Sequence, residues 1–265
     1  MSEYEGTVIH KCRDRFGELV VADGALTRTL YFGKGTKQSS MFLDDPAVLA
    51  MHYMRGMMSA LIFNRWPKKA LFIGLGGGTA VKFLMRACPD CRIDAVEIRG
   101  QVIRLAHDYF ALPRNHPGAR IIHSDGGEFL LGRRHEAGYD HIFVDAFDDD
   151  GPAAAVTSRD FLLACRRALT GGGVLTFDLW THPDSGYERY RDLIGSVFEG
   201  VLLELVQEDT EDNALVFAFK DTSALKQIGQ WRGVAGQLQT EFSINFKGFL
   251  DRMCRRARKR GSLPG

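Results

Sequence analysis

The sequence predicts an α/β fold: a mostly parallel sheet of seven strands with helices on both faces, preceded by a small β unit. Three observations predict it. From residue 70, apolar strand-like runs alternate with helical stretches five times in succession, the pattern of consecutive βα units. Two last runs, "GVLLELVQ" and "NALVFAFK", are separated only by the polar "EDTED", so the sheet ends in a hairpin at one edge. Before residue 34 the signals are instead those of short strands and tight turns, at Arg15-Phe16-Gly17 and Asp23-Gly24.

Taken in order, "TVIHK", "GELVVADG" and "ALTRTLYFG" are the opening strands, with period-two patterning between turn residues. "DDPAVLAMHYMRGMMSALIF" then predicts a helix with Asp44 or Asp45 as cap, Pro46 in the first turn and apolar spacing through Leu61. Its methionines are core filler, since unbranched thioethers fit irregular gaps. The five βα units begin with "ALFIG", "RIDAVE", "ARIIHSD", "YDHIFVDAF" and "GGGVLTFDLW". Beyond Lys220 two helical segments follow, the second ending in six basic residues and one acidic between Asp251 and Arg260. That end reads as solvated, with charge that suits a helix C-terminus and no interleaved aromatics for a nucleic-acid contact. The predicted organisation is a β unit over 1–45, a catalytic α/β domain over 46–220 and a helical extension over 221–265.

Composition narrows the function classes. With 34 basic and 33 acidic side chains among 265 residues, no global field draws in nucleic acid or a membrane surface. No run approaches the roughly 18 uninterrupted apolar residues of a membrane span, so the expectation is a cytoplasmic protein. Five cysteines at 12, 88, 91, 165 and 254 form no disulfide framework and suggest a reducing compartment. Cys88 and Cys91 have zinc or redox spacing, but no second pair follows them.

"FIGLGGGTA" puts Gly74, Gly76 and Gly78 between a buried strand and a helix, where glycine lets the backbone turn sharply and approach a ligand. Glu97 ends the second strand, where a carboxylate can accept both hydroxyls of a ribose. Asp125, before Gly126, closes the third strand and can accept from an adenine amino group, or simply cap a helix. "VDAFDDDGPA" then places Asp145, Asp148, Asp149 and Asp150 at the end of the fourth strand. A metal site is the weaker reading of that run, because no histidine or further ordered oxygen ligands accompany it.

The order of strands, closed by a hairpin, resembles the seven-stranded Rossmann-like sheet of the class I AdoMet-dependent methyltransferases and their relatives. More narrowly, the chain from about Ala70 to Gly173 resembles the spermidine synthases and related polyamine aminopropyltransferases. Their signatures are a Gly-Gly-Gly-Asp-Gly loop, a Val-Glu-Ile-Asp strand end, an Asp-Gly pair and Asp-Ser-Ser-Asp-Pro-x-Gly-Pro-Ala; here these read "GGGTA", "VEIR", "SDGGEFL" and "DAFDDDGPA". The resemblance implies transfer of an aminopropyl group from decarboxylated AdoMet to an amine acceptor, without metal, by a homodimer joined through its N-terminal strands. It implies Asp145 as the proton acceptor, Asp148 as a contact of the amine, Pro152 at the border of the thioadenosine, and Tyr53 and Gln38 as pocket contacts. Asp149 and Asp150 replace residues without chemistry and are expected to be solvated.

Three departures bear on specificity. The family's glycine-loop Asp, which by resemblance binds the aminopropyl ammonium, is Thr79, so exclusion of ordinary AdoMet is weakened. Tyr-His-Glu on the preceding helix becomes Tyr53-Met54-Arg55, which puts a cation where an acid is expected to face a diamine. A Gln-x-Glu after the fifth strand becomes "FDLW", with Asp178 as a substitute. Aminopropyl transfer is therefore weighed against methyl transfer from AdoMet on the same frame, and against a nucleoside-binding protein without catalysis.

Overall fold

A four-stranded sheet lies over one end of a seven-stranded one. The computed structural model describes residues 4–33, 35–132, 138–148, 151–206 and 213–263. Strands β1 (Thr7–Asp14), β2 (Gly17–Asp23), β3 (Thr27–Phe32) and β4 (Thr36–Phe42) form an antiparallel sheet in sequence order. Short helices α1 (His52–Met57) and α2 (Ala60–Phe63) lead into the large sheet. There the chain runs β5 (Lys69–Ile73), α3 (Thr79–Ala87), β6 (Arg92–Glu97), α4 (Gly100–Tyr109), β7 (Ala119–His123), α5 (Gly126–Leu131) and β8 (Tyr139–Val144). A two-residue ribbon, β9 (Phe147–Asp148) with β10 (Gly151–Pro152), precedes α6 (Arg159–Ala168), β11 (Leu169–Trp180), α7 (Tyr187–Val197), β12 (Leu202–Val206) and β13 (Asn213–Phe219). Helices α8 (Ile228–Phe242) and α9 (Phe246–Lys259) end the described chain.

The large sheet has the order β12-β13-β11-β8-β5-β6-β7. Strand β13 is antiparallel to both neighbours and the other pairs are parallel, so the last two strands are the edge hairpin that the sequence predicts. Winding proceeds outward from β5 through β6 to β7, then returns to β8 on the other side. The crevice of such a sheet opens at the carboxyl ends of β5 and β8.

Near-continuous apolar runs form most of these strands because both faces are covered; the edge strand β7, with Arg120 and His123 exposed, is the exception. Ala70 and Phe72 of β5 enter the core beneath α1, α2, α3, α8 and α9, while Leu71 and Ile73 enter the core beneath α5, α6 and α7. Stacked rings of Phe72 and Phe143, 4.6 Å apart, tie β5 to β8. A third cluster packs Leu19, Val21, Leu30 and Met41 of the small sheet onto Val102, Leu105 and Phe110 of the α4 region. This seats the small sheet over the crevice. No helix among the described residues is long and apolar enough to cross a membrane.

Three expectations are corrected. Residues 44–50 are not helical: Asp45 pairs with Arg86 at 2.5 Å and accepts from the Ala47 N–H, while Leu49 bridges to Met41 of β4. The helix therefore starts at His52. Strand β4 is an addition, polar in sequence yet buried at Ser39, Ser40 and Met41. The basic end of α9 is not wholly solvated, because Arg256 and Arg260 each reach a carboxylate oxygen of buried Glu204 at 3.0 Å. Cys88 and Cys91 are buried, and burial pushes the Cys91 thiol up to about 12, which leaves it protonated and unreactive.

One buried cation gives a pH signature. Lys82 of α3 donates to the Phe110 carbonyl and lies 3.5 Å from the Met41 sulfur; burial lowers it from 10.5 to about 8. The unfolded chain keeps this proton up to its higher pKa, so the charged form costs the fold about 3 kcal/mol at neutral pH. The contribution of Lys82 to stability should accordingly rise with pH between about 8 and 10.5, against the opposite trend of buried thiols such as Cys91. Chemical denaturation at stepped pH checks this: Lys82→Met should lack the rise, and parallel curves for the two proteins would contradict it.

Candidate active site

The chain leaves β5 through Gly74, Leu75, Gly76 and Gly77, and Gly78 is the N-terminal boundary residue of α3. Gly74 has φ +96°, and a Cβ there would stand 1.9 Å from the Asp145 carbonyl oxygen. The glycine loop thus lies directly on the chain leaving β8. Its position is held by the Gly74 N–H donating to Val96 and the Asp145 N–H donating to Ile73, each at 2.9 Å.

Three carboxylates meet beside this loop. Glu97, at the end of β6, is only 8% exposed; it accepts from the Leu75 N–H at 3.0 Å and the Arg99 N–H at 2.8 Å. Burial raises its pKa, and those backbone donors pull the other way. The Gly76 N–H is a further donor to this carboxylate, which also lines the cavity. Asp125 caps α5 by accepting from the Glu128 N–H at 2.9 Å, and also lines the cavity. The cap and the ligand contact are therefore compatible roles. Asp145 follows β8 and accepts from the Tyr53 hydroxyl at 3.1 Å.

These segments enclose a cavity of about 120 Å³ whose lining includes Gln38, Met54, Gly74, Gly76, Glu97, Gly126 and Asp145. A second space of about 430 Å³ shares Phe32, Gln38, Ile98, Arg99 and Phe147 with it and extends past Phe16 and Trp180. Phe147 and Trp180 stack there at 4.8 Å. Together the two provide a carboxylate-rimmed floor and an aromatic mouth.

Other sequence-predicted residues stand elsewhere. Tyr53 has its ring in the core and only its hydroxyl at Asp145. Gly78 lies against Leu112, outside the cavity lining. Thr79 is buried beneath the loop, its hydroxyl 3.4 Å from the Ser40 carbonyl and 3.5 Å from the Ser39 hydroxyl. Pro152 is buried in the ribbon, while its neighbours Ala153 and Ala155 line the cavity. The backbone of Asp148 pairs with Gly151; its side chain, Asp149 and Asp150 lie outside what the structure describes. Arg55 does not present its charge to the cavity: its Nε donates to the Leu49 carbonyl at 2.8 Å, and Met54 lines the cavity instead. Asp178 is buried and accepts from Asn213 Nδ2 at 2.8 and 3.0 Å, away from the lining. Sequence reasoning missed Arg99, Phe32, Phe147 and Trp180. The Arg in "VEIR" was the one available signal.

Known proteins are similar in sequence and in fold. Residues 51–182 match the family model described as the spermine/spermidine synthase domain. A polyamine aminopropyltransferase of Chromobacterium violaceum is 36% identical over 236 residues, 89% of either chain, and one of Neisseria meningitidis is 34% identical over 243 residues, 91% of either chain. The spermidine synthase of Thermotoga maritima superposes with a TM-score of 0.64 over 83% of this chain and 75% of its own, at 22% identity, which speaks to the fold. With 36% of the aligned residues identical across 89% of its length, the chain belongs to the spermine/spermidine synthase family.

Proposed function

We infer that this protein transfers an aminopropyl group from decarboxylated AdoMet to a small amine, releasing methylthioadenosine. One observation carries the reading: Glu97, Asp125 and Asp145, from three strand ends, line one cavity against the glycine loop. In the reaction a nitrogen–carbon bond forms as the carbon–sulfur bond breaks, and sulfur keeps the electron pair. The attacking amine, with a pKa near 10 as for lysine, must first lose a proton. Asp145 takes it in this reading, which is supported by its carboxylate lining the cavity and accepting from the Tyr53 hydroxyl. Glu97 suits a ribose, being a buried carboxylate that lines the cavity, and Asp125 suits an adenine amino group. Gln38 borders both spaces, where the acceptor and the transferred group meet.

Thr79 supports a second reading. Buried beneath the loop, it supplies no charge to repel the carboxylate of ordinary AdoMet, which leaves methyl transfer on the same frame. Thermal-shift titration with AdoMet, decarboxylated AdoMet and methylthioadenosine separates the two. At a hundred times its Kd a ligand stabilises by about 2.7 kcal/mol, a rise of roughly 5–10 °C for a chain of this size. Aminopropyl transfer predicts the larger rise with decarboxylated AdoMet and release of methylthioadenosine when an amine is added. A larger rise with AdoMet favours methyl transfer, and binding without turnover with any amine favours a nucleoside-binding protein.

A further inference from the structure

Arg99 stands at the N-terminal boundary of α4, with no side-chain cap there, where a cation meets the positive end of the helix dipole. Its guanidinium turns away from the helix. Nε and Nη2 donate to the two carboxylate oxygens of Asp14 at 3.0 and 2.8 Å, and Nη2 donates also to the Gly17 carbonyl at 3.2 Å. Asp14 and Gly17 flank the β1–β2 turn, and Asp14 accepts in addition from the Phe16 N–H at 2.9 Å. The guanidinium carbon lies 4.3 Å from the centroid of the Phe32 ring of β3. Side-chain exposure is 7% for Arg99 and 14% for Asp14, so this two-pronged pair is largely removed from water. Such pairs are directional, and loss of one partner leaves the other charge uncompensated.

The main chain of the same residue does something else: its N–H donates to Glu97 at 2.8 Å. One residue therefore joins three strands of the small sheet to the carboxylate that faces the nucleoside. Arg99, Ile98 and Phe32 also line both parts of the cleft.

We propose that Arg99 is a positioning residue that couples Glu97 to the β1–β2 hairpin, so that nucleoside binding and seating of the small sheet are one event. This rests on the nucleoside reading of Glu97. A ligand on Glu97 then tightens the hairpin, and a loosened hairpin weakens the ligand by the same factor, because coupling between sites is reciprocal.

Two variants of the full chain test it. Arg99→Asn retains the N–H to Glu97 and gives α4 a good capping residue, so the helix itself gains while the strut is lost. Asp14→Asn removes the partner charge without touching the cavity lining. Titration calorimetry with methylthioadenosine should give a Kd about tenfold or more higher in each, and no further increase in the double variant. Hydrogen exchange should slow at residues 14–20 when the wild type binds methylthioadenosine, and not in the variants. If Arg99→Asn does not fold, Arg99→Lys, which keeps the charge and loses the fork, carries the same expectation. A Kd within twofold of wild type in the variants, whatever their melting points, would make Arg99 a structural strut only and overturn the proposal. A wild type that does not bind methylthioadenosine removes the nucleoside reading itself, and this inference with it.

Discussion

Asp145→Asn is expected to lower kcat by about 10²–10⁴ while leaving the Kd of methylthioadenosine within a fewfold of wild type. The substitution keeps shape and an oxygen for the Tyr53 hydroxyl, whose bond to Asp145 is 3.1 Å long. What it removes is the ability to accept a proton from an ammonium. Glu97 and Asp125, which hold the nucleoside in this account, are attached to other strands and are unaffected. Steady-state turnover with a saturating amine, together with calorimetric binding, separates the two effects. Unchanged turnover would remove Asp145 from the mechanism, and lost binding would make it a nucleoside contact instead. Tyr53→Phe should cost less, because the carboxylate stays and only its orientation loosens.

The second large effect is expected at Gly74. Alanine there must adopt φ +96° and place a Cβ 1.9 Å from the Asp145 carbonyl oxygen, a contact with backbone that no side-chain rotation relieves. The conformational part alone costs about 1–2 kcal/mol, and the displaced chain brings the loss to about 3 kcal/mol or more. The relief moves Asp145, so activity should fall about a hundredfold in whatever folds, since misplacement by an ångström is enough. Gly172→Ala is the control, because a Cβ there meets nothing within 4 Å and its effect should stay within about 0.5 kcal/mol. Urea denaturation of the two variants makes the comparison. Equal stabilities would show that the glycine loop does not press on the end of β8.

The large sheet was legible in the sequence because its central strands are covered on both faces, which leaves runs such as "ALFIG" and "ALVFAF" without polar interruption. Strand β4 was not, because Thr36, Lys37, Gln38, Ser39 and Ser40 carry no alternation, and hydrogen bonds such as Thr29 to Ser40 do what apolar burial does elsewhere. Helical spacing in residues 46–61 misled, since Asp45 finds Arg86, forty-one positions away, and no sequence window contains that ion pair. The meeting of Glu97, Asp125 and Asp145 follows from topology, because parallel strands deliver their ends to one rim. What the letters could not convey is direction. Thr79 and Arg55 sit at suggestive positions yet turn to Ser40 and Leu49, while Arg99 reaches a hairpin eighty-five positions earlier.

A crystal structure of the protein with methylthioadenosine bound tests the central claim most directly. The ribose hydroxyls should lie on Glu97, the base amino group on Asp125 and the sulfur on the side of Asp145, with the glycine loop beneath. A nucleoside found away from these three carboxylates, or lying across them in the reverse sense with its sulfur at Asp125, would contradict the account.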